Sequence, residues 1–91
     1  MFIVSVNYQQ PLEVVDQHLA AHATFLEHYI DQGVFIAAGR KVPRTGGYIL
    51  ARNVSRAELE EILAGDPFQV HGVALYVLTE FTPNRTAEVI F

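Results

Sequence analysis

Three histidines fall within the stretch DQHLAAHATFLEHY, residues 16–29. Imidazole exchanges protons near neutral pH, so each of them is a candidate general acid or base. The apolar residues around them recur at steps of three, four and seven, the spacing of an amphipathic helix: Val15, Leu19, Leu26 and Tyr29. His22 falls in the middle of this apolar stripe, His18 lies at its edge, and His28 falls toward the polar face. The spacing singles out His22 first and His18 second.

Two interpretations of His22 stay open on spacing alone. In one it is a core residue whose ring bonds a backbone carbonyl, and in the other a carboxylate orients it for proton transfer. Either way it needs a partner, because an unsatisfied buried polar group costs about 1–3 kcal/mol. The candidate partner is Asp66 in GDPF, although Asp before Pro is also typical of a helix start. A capping carboxylate can still accept from histidine, so the two roles of Asp66 are compatible.

A metal site is the alternative use of these histidines. His18 and His22 are four residues apart, which lets two imidazoles share a metal on one helix face. The stretch lacks the intervening Glu of a zinc protease motif, and only His71 or Asp66 could add a ligand by tertiary approach. The sequence therefore predicts a site that uses neither metal nor cofactor.

The loop RKVPRTGG, which begins at Arg40, is a candidate wall for the site. Arg44 is the predicted binder of a substrate carboxylate, since guanidinium recognises carboxylate through two parallel hydrogen bonds. Gly46 and Gly47 would let backbone amides approach a ligand closely, and Tyr8 is a candidate aromatic wall. The competing interpretation is an ordinary hairpin loop with solvated arginines.

Composition narrows the class of protein. The 91 residues are enough for one domain, residues 1–91. A net charge of −4 with six Lys and Arg argues against nucleic acid as a partner. The chain has no cysteine, which excludes disulfides and Cys nucleophiles. The opening residues do not resemble a signal peptide, and no apolar run approaches the roughly 20 residues of a membrane helix. We expect a cytoplasmic protein without membrane contact.

The elements that must position these residues follow from periodicity. Alternating or continuous apolar runs predict strands at residues 2–8, 34–39, 46–52 and 73–81. A long helix is predicted from Pro11 to Gly33 and a second from Ser55 to Gly65, with a short turn of helix at residues 66–72. The order is β-α-β-β-α-β, the α+β ferredoxin-like fold, with a four-stranded antiparallel sheet and both helices on one face.

The helices of such a fold cover one face of the sheet, yet both faces are apolar. In the first strand, Phe2, Val4 and Val6 lie opposite Ile3 and Ser5, and the fourth strand is apolar on both sides. With 51% hydrophobic and only 18% charged residues, the chain favours burial of the second face against another copy. We expect a homodimer or a higher homo-oligomer, with the apolar tail Ala87–Phe91 crossing to the partner.

The chain resembles the YCII-related family of dimeric α+β barrel proteins, which are similar in fold to muconolactone isomerase. The resemblance rests on FIVSVNY, HLAAHATFL, AAGRKVPRTGGYILA, GDPF and TEFTP in that order along the chain. It implies that His22 and Asp66 are the active-site pair, since the family's proposed pair is a first-helix histidine and the aspartate before Pro-Phe. Ala38 and Arg40 depart from the family pattern, which has a hydroxyl residue and a proline there.

Two functions of different class follow. The first is a small cofactor-independent enzyme that uses His22 and Asp66 as a general acid/base pair on a small carboxylated or aromatic metabolite. The step would be lyase- or isomerase-like, and one branch of the family is associated with dehalogenation of chlorinated aromatics. The second is a non-catalytic ligand-binding or accessory dimer in which His22 and Asp66 are structural. A haem- or oxygen-handling barrel is a third possibility, supported by no residues beyond His18, His22 and His71.

Overall fold

The computed structural model describes residues 1–87. One antiparallel sheet has the strand order β2-β3-β1-β4, and its strands are β1 (Phe2–Tyr8), β2 (Phe35–Arg40), β3 (Gly46–Ala51) and β4 (Ala74–Glu80). The helices are α1 (Leu12–Gln17), α2 (Leu19–Asp31), α3 (Arg56–Ala64) and α4 (Pro67–Val70). This arrangement is ferredoxin-like and confirms the predicted α+β fold class.

The long first helix is where the structure differs from the sequence-based expectation. It is divided into α1 and α2 at His18, whose backbone leaves the helical region at φ −109° and ψ 1°. The His18 N–H donates to the Val15 carbonyl three residues back, and α2 begins when the His22 N–H donates to the His18 carbonyl. A break of one residue leaves the apolar spacing in phase, so periodicity could not reveal it.

A capping box fixes the start of α3 and so the approach to Asp66. The Ser55 hydroxyl accepts from the Glu58 N–H at 3.1 Å, and the Glu58 carboxylate accepts from the Ser55 N–H at 3.0 Å. The helix buries Leu59 and Leu63 against the sheet and ends at Gly65. The chain therefore reaches Asp66 directly from an anchored helix.

The core lies between the helices and one face of the sheet. Phe2, Val4 and Val6 of β1 are at most 3% exposed and point toward the helices, while Ile3 on the same strand faces away. The helices contribute Val15, Leu59, Leu63 and Phe68 to this core, and the neighbouring strands contribute Phe35 and Ile49. Strand alternation thus puts one side of β1 at the floor of any site beneath α2.

The opposite face of the sheet carries apolar side chains in the open. Ile3, Tyr48, Leu75 and Val77 are 39–58% exposed. Near one end, the Lys41 ammonium donates to Ser5 Oγ and Asn7 Oδ1 at 2.9 and 2.7 Å. This face is the one that the sequence predicts to meet a second copy, and the homodimer stays a prediction.

Within residues 1–87, no helix combines the length and apolar character needed to cross a membrane. The tail predicted to cross to a partner, Ala87–Phe91, lies outside the described residues apart from Ala87.

Candidate active site

Asp66 occupies the junction between α3 and α4 as the N-cap of α4. Its Oδ1 accepts from the Phe68 N–H at 3.0 Å, and Pro67 takes the first helical position, where no N–H is needed. Its side chain is 0% exposed. A carboxylate removed from water in this way requires further hydrogen bonds, because desolvation disfavours its charge.

His22 supplies one of those hydrogen bonds from α2. Its Nδ1 lies 2.8 Å from Asp66 Oδ1, and its side chain is 11% exposed. A carboxylate only accepts, so Nδ1 carries the proton and Nε2 of the neutral ring has a free lone pair. The pair that the sequence suggested is therefore in contact, with the imidazole held in one tautomer.

Tyr76 of β4 supplies a third hydrogen bond, from its hydroxyl to Asp66 Oδ2. Burial raises the pKa of the Tyr76 hydroxyl, and the Asp66 carboxylate beside it raises that pKa further. Sequence reasoning missed this residue. The available signal was its place in a strand apolar on both sides, since a buried tyrosine hydroxyl needs a partner.

Aromatic stacking attaches α4 to α2 on either side of the pair. The His22 ring lies flat on the Phe68 ring, with centroids 3.9 Å apart and planes 6° apart. One helical turn away, His18 and His71 stack with centroids 4.3 Å apart. Tyr8 meets Phe68 edge to face at 5.9 Å. The His22 ring is thus oriented by a hydrogen bond in its plane and a stacked ring on its face.

A pocket of about 160 Å³ lies between α2 and the β2–β3 half of the sheet. Most of its lining is apolar or glycine, and the residues are Val6, Tyr8, Leu19, His22, Ala23, Leu26, Ala38, Gly39, Arg40, Gly46, Gly47, Tyr48, Ile49 and Phe68. His22 lines this pocket, whereas Asp66 is fully buried and does not. His22 is therefore the member of the pair that a bound molecule could touch.

Gly46 and Gly47 line the pocket, and the fold itself requires both glycines. A Cβ on Gly46 would lie 1.8 Å from the Val6 carbonyl oxygen, and one on Gly47 would lie 2.7 Å from the Gly39 oxygen. The close approach that these glycines permit is therefore between neighbouring strands. A Cβ added to Gly39, by contrast, would meet nothing within 4 Å, so this glycine borders open space.

Arg44, the predicted carboxylate binder, already holds a carboxylate of the same chain. Its guanidinium donates to Asp16 Oδ1 at 2.5 Å and lies 6.0 Å from the Tyr8 ring centroid. The hydrogen bond to Asp16 raises the pKa of Arg44, and the same bond lowers the pKa of Asp16. Arg44 is not part of the pocket lining, whereas Arg40 is.

The histidines do not gather into a metal site within the described residues. His18 stacks on His71, His22 bonds Asp66, and His28 is exposed beside Tyr29. Residues 1–87 contain no group of three or more His, Asp or Glu side chains arranged to hold a metal ion.

Comparison with known proteins places the chain in a family. Residues 1–82 match the YCII-related domain, so the chain belongs to the YCII-related family, as the resemblance implied. No curated protein sequence is similar enough to count as a match.

One solved structure with a similar fold is 5-chloro-2-hydroxyhydroquinone dehydrochlorinase from Burkholderia phenoliruptrix AC1100, in complex with 2,5-dihydroxybenzoquinone. The TM-score is 0.73, and the match covers 90% of this chain and 94% of that chain at 19% identity. The likeness shows a shared fold.

Proposed function

We propose that this member of the YCII-related family is a small cofactor-independent enzyme in which His22 and Asp66 act as a general acid/base pair. One observation carries the proposal: the His22 ring lines a pocket while its Nδ1 bonds a fully buried carboxylate at 2.8 Å. Nε2 is thereby aimed away from Asp66 and is available for proton transfer. The substrate class is a small carboxylated or aromatic metabolite.

In the proposed reaction, neutral His22 removes a proton through Nε2. A substrate C–H or O–H bond breaks, the proton joins Nε2, and the electron pair moves into the substrate. Asp66 accepts from Nδ1–H throughout and stabilises the imidazolium. Return of the proton to another atom completes an isomerisation. Departure of a leaving group with its bonding electrons, chloride in a dehydrochlorination, followed by release of the proton from Nε2 to water, completes an elimination.

The size of the pocket supports a ligand of about one ring. Its volume, about 160 Å³, is close to that of an engineered cavity of about 150 Å³ that binds benzene. The solved structure with 2,5-dihydroxybenzoquinone holds a ligand of that size in the same fold. Phe68 and Tyr8 offer aromatic surface beside His22.

The anionic end of the ligand has two candidate guanidinium groups. Arg44 is the sequence-based prediction, and one of its nitrogens already donates to Asp16. Arg40 lines the pocket and forms no ion pair within residues 1–87. It pairs across the strands with Gly47, and Ala38 two residues earlier shares its face of β2. We therefore include Arg40 beside Arg44, Gly46, Gly47 and Tyr8 as ligand-binding residues.

The non-catalytic alternative has its own supporting observation. Asp66 caps α4 and accepts from three donors, which is what a purely structural carboxylate would do. In this alternative the pocket binds a small molecule without reaction. Both functions include a cytoplasmic homodimer whose exposed sheet faces meet.

The test combines binding with chemistry. Benzoate and 2,5-dihydroxybenzoquinone are titrated against the ring signals of His22 in the ¹H–¹⁵N NMR spectrum. Chlorinated hydroquinones are then screened for chloride release in wild type, in His22→Gln and in the control His28→Gln. The enzyme proposal expects His22 signals to shift on binding and turnover to vanish only in His22→Gln.

Two outcomes count against the proposal. If ligands bind beside His22 but no proton exchange or chloride release occurs, the binding-module alternative gains. If turnover survives in His22→Gln, the assignment of His22 as the base is wrong. Comparing Arg40→Gln with Arg44→Gln in the benzoate titration then identifies the guanidinium that holds the carboxylate.

A further inference from the structure

We propose that Tyr76 is the positioning residue of the His22–Asp66 pair: its hydroxyl holds Asp66 Oδ2 and thereby sets how strongly the carboxylate attracts the His22 proton. The inference rests on the proposed function, because it concerns the same pair. It adds a residue from β4, 54 positions from His22 in sequence, which neither spacing nor the family resemblance assigned.

The two carboxylate oxygens of Asp66 accept from different donors. Oδ1 accepts from His22 Nδ1 at 2.8 Å and from the Phe68 N–H at 3.0 Å, whereas Oδ2 accepts from the Tyr76 hydroxyl. His22 on α2 and Tyr76 on β4 bond the carboxylate from two different elements. The Tyr76 bond therefore fixes the rotation of the carboxylate about the Asp66 side-chain axis. That rotation determines whether Oδ1 lies in line with Nδ1–H.

The Tyr76 hydroxyl matters because hydrogen bonds stabilise the buried charge of Asp66. Asp66 is fully buried and forms no ion pair with Lys or Arg within residues 1–87. Its negative charge is therefore stabilised by hydrogen bonds from His22, Phe68 and Tyr76. Each neutral donor that shares the carboxylate reduces its pull on the His22 proton. The backbone donor cannot be altered by substitution, so Tyr76 is the adjustable one.

Tyr76 is suited to this role across the accessible pH range. Burial and the neighbouring carboxylate both raise the pKa of its hydroxyl, so the group stays a donor. The other titratable residues that line the pocket with His22 are Tyr8 of β1, Arg40 of β2 and Tyr48 of β3, although the Tyr48 side chain lies on the opposite face of the sheet. None of these three bonds Asp66 in the described structure, so they form a common background in every variant below.

The experiment is an NMR titration of the His22 ring in Tyr76→Phe. Loss of the hydroxyl leaves the carboxylate with a stronger hold on the His22 proton, so the titration midpoint moves up by about 0.5–1 pH unit. Tyr29→Phe is the matched control. Tyr29 is a half-buried tyrosine of α2 that packs on Phe35 at 5.4 Å, away from Asp66. Loss of the Tyr29 hydroxyl is expected to leave the titration midpoint of His22 unchanged.

A purely structural Tyr76 gives a different result. The midpoint of His22 then stays at the wild-type value in Tyr76→Phe while thermal stability falls, and the proposal is overturned. The same titration in Asp66→Asn tests whether His22 and Asp66 are coupled at all. If Asp66→Asn shifts the midpoint and Tyr76→Phe does not, the pair stands and only the role of Tyr76 fails. If neither variant shifts it, the coupled pair itself fails.

Discussion

Replacing Asp66 with alanine tests how much of the fold depends on one buried carboxylate. The substitution strips the partner from three donors at once: His22 Nδ1, the Phe68 N–H and the Tyr76 hydroxyl. Asp66 is 0% exposed, so water does not replace it without rearrangement. Asp66→Ala is therefore expected to be among the most destabilising substitutions in the chain.

The magnitude follows from those three bonds. Loss of the helix cap at Phe68 costs about 1 kcal/mol, and each buried donor left unpaired costs about 1–3 kcal/mol. His22 is 11% exposed and can recover part of its loss from water, so the sum is about 3–6 kcal/mol. Asp66→Asn keeps one carbonyl oxygen and the side-chain shape, so it is expected to cost about 1–3 kcal/mol.

Urea unfolding followed by circular dichroism measures these differences. The expected order of stability is wild type, Asp66→Asn, Asp66→Ala, with the exposed control Asp31→Ala within about 0.5 kcal/mol of wild type. Because small domains have about 5–15 kcal/mol in total, the asparagine variant keeps the comparison measurable if the alanine variant unfolds. An Asp66→Asn loss of stability below about 0.5 kcal/mol would instead show that the three hydrogen bonds to Asp66 contribute little.

Three further predictions concern the frame of the site. Gly46→Ala places a Cβ 1.8 Å from the Val6 oxygen and is expected to cost about 3 kcal/mol or more in urea unfolding, whereas Gly39→Ala, which meets nothing within 4 Å, is tolerated. Arg44→Gln removes the donor that lowers the pKa of Asp16, so ¹³C NMR should show that carboxyl titrating nearer its usual 3.8. The stabilisation it contributes in wild type is present at neutral pH and is lost as pH falls through the lowered pKa. Val77→Lys charges the exposed sheet face and should halve the mass in light scattering, whereas Val42→Lys in the loop, at a residue 98% exposed, should not; an unchanged mass for Val77→Lys contradicts the predicted dimer face.

The position of His22 on the apolar face of the helix could be predicted because it depends only on the local spacing of apolar residues. An imidazole centred between Val15 and Tyr29 must face the interior whether the helix is continuous or broken at His18. The cap at Asp66 was equally local, since Asp before Pro is a helix-start signal. That the two side chains meet depends on how α2 and α4 pack, and here family resemblance added what spacing could not.

The remaining contacts depend on distances that no local pattern encodes. Arg44 and Asp16 are separated by 28 positions, and they meet only because the folded chain brings the β2–β3 loop against α1. Alternation in β4 separates Tyr76 from Val77 but could not say which of the two faces the helices, or which buried acceptor the Tyr76 hydroxyl finds. Arg40 reaches the pocket because β2 extends one residue further than expected, to residue 40.

The sequence also could not show why residues 46 and 47 are both glycine. Glycines at the start of a strand suggest room for a ligand, a loop turn or a close approach of backbones, and all three demand the same residue type. The strand register decides among them by placing the Val6 carbonyl against Gly46 and the Gly39 carbonyl against Gly47.

The most direct test of the account is a titration of the His22 ring nitrogens by ¹⁵N NMR, in wild type and in Asp66→Asn. If the two side chains are coupled, Nδ1 is protonated and Nε2 unprotonated in the neutral ring, and the midpoint falls when the Asp66 charge is removed. A His22 signal that does not titrate, or that titrates identically in both proteins, would contradict this coupling. His22 would then be a core histidine, and Asp66 a helix cap.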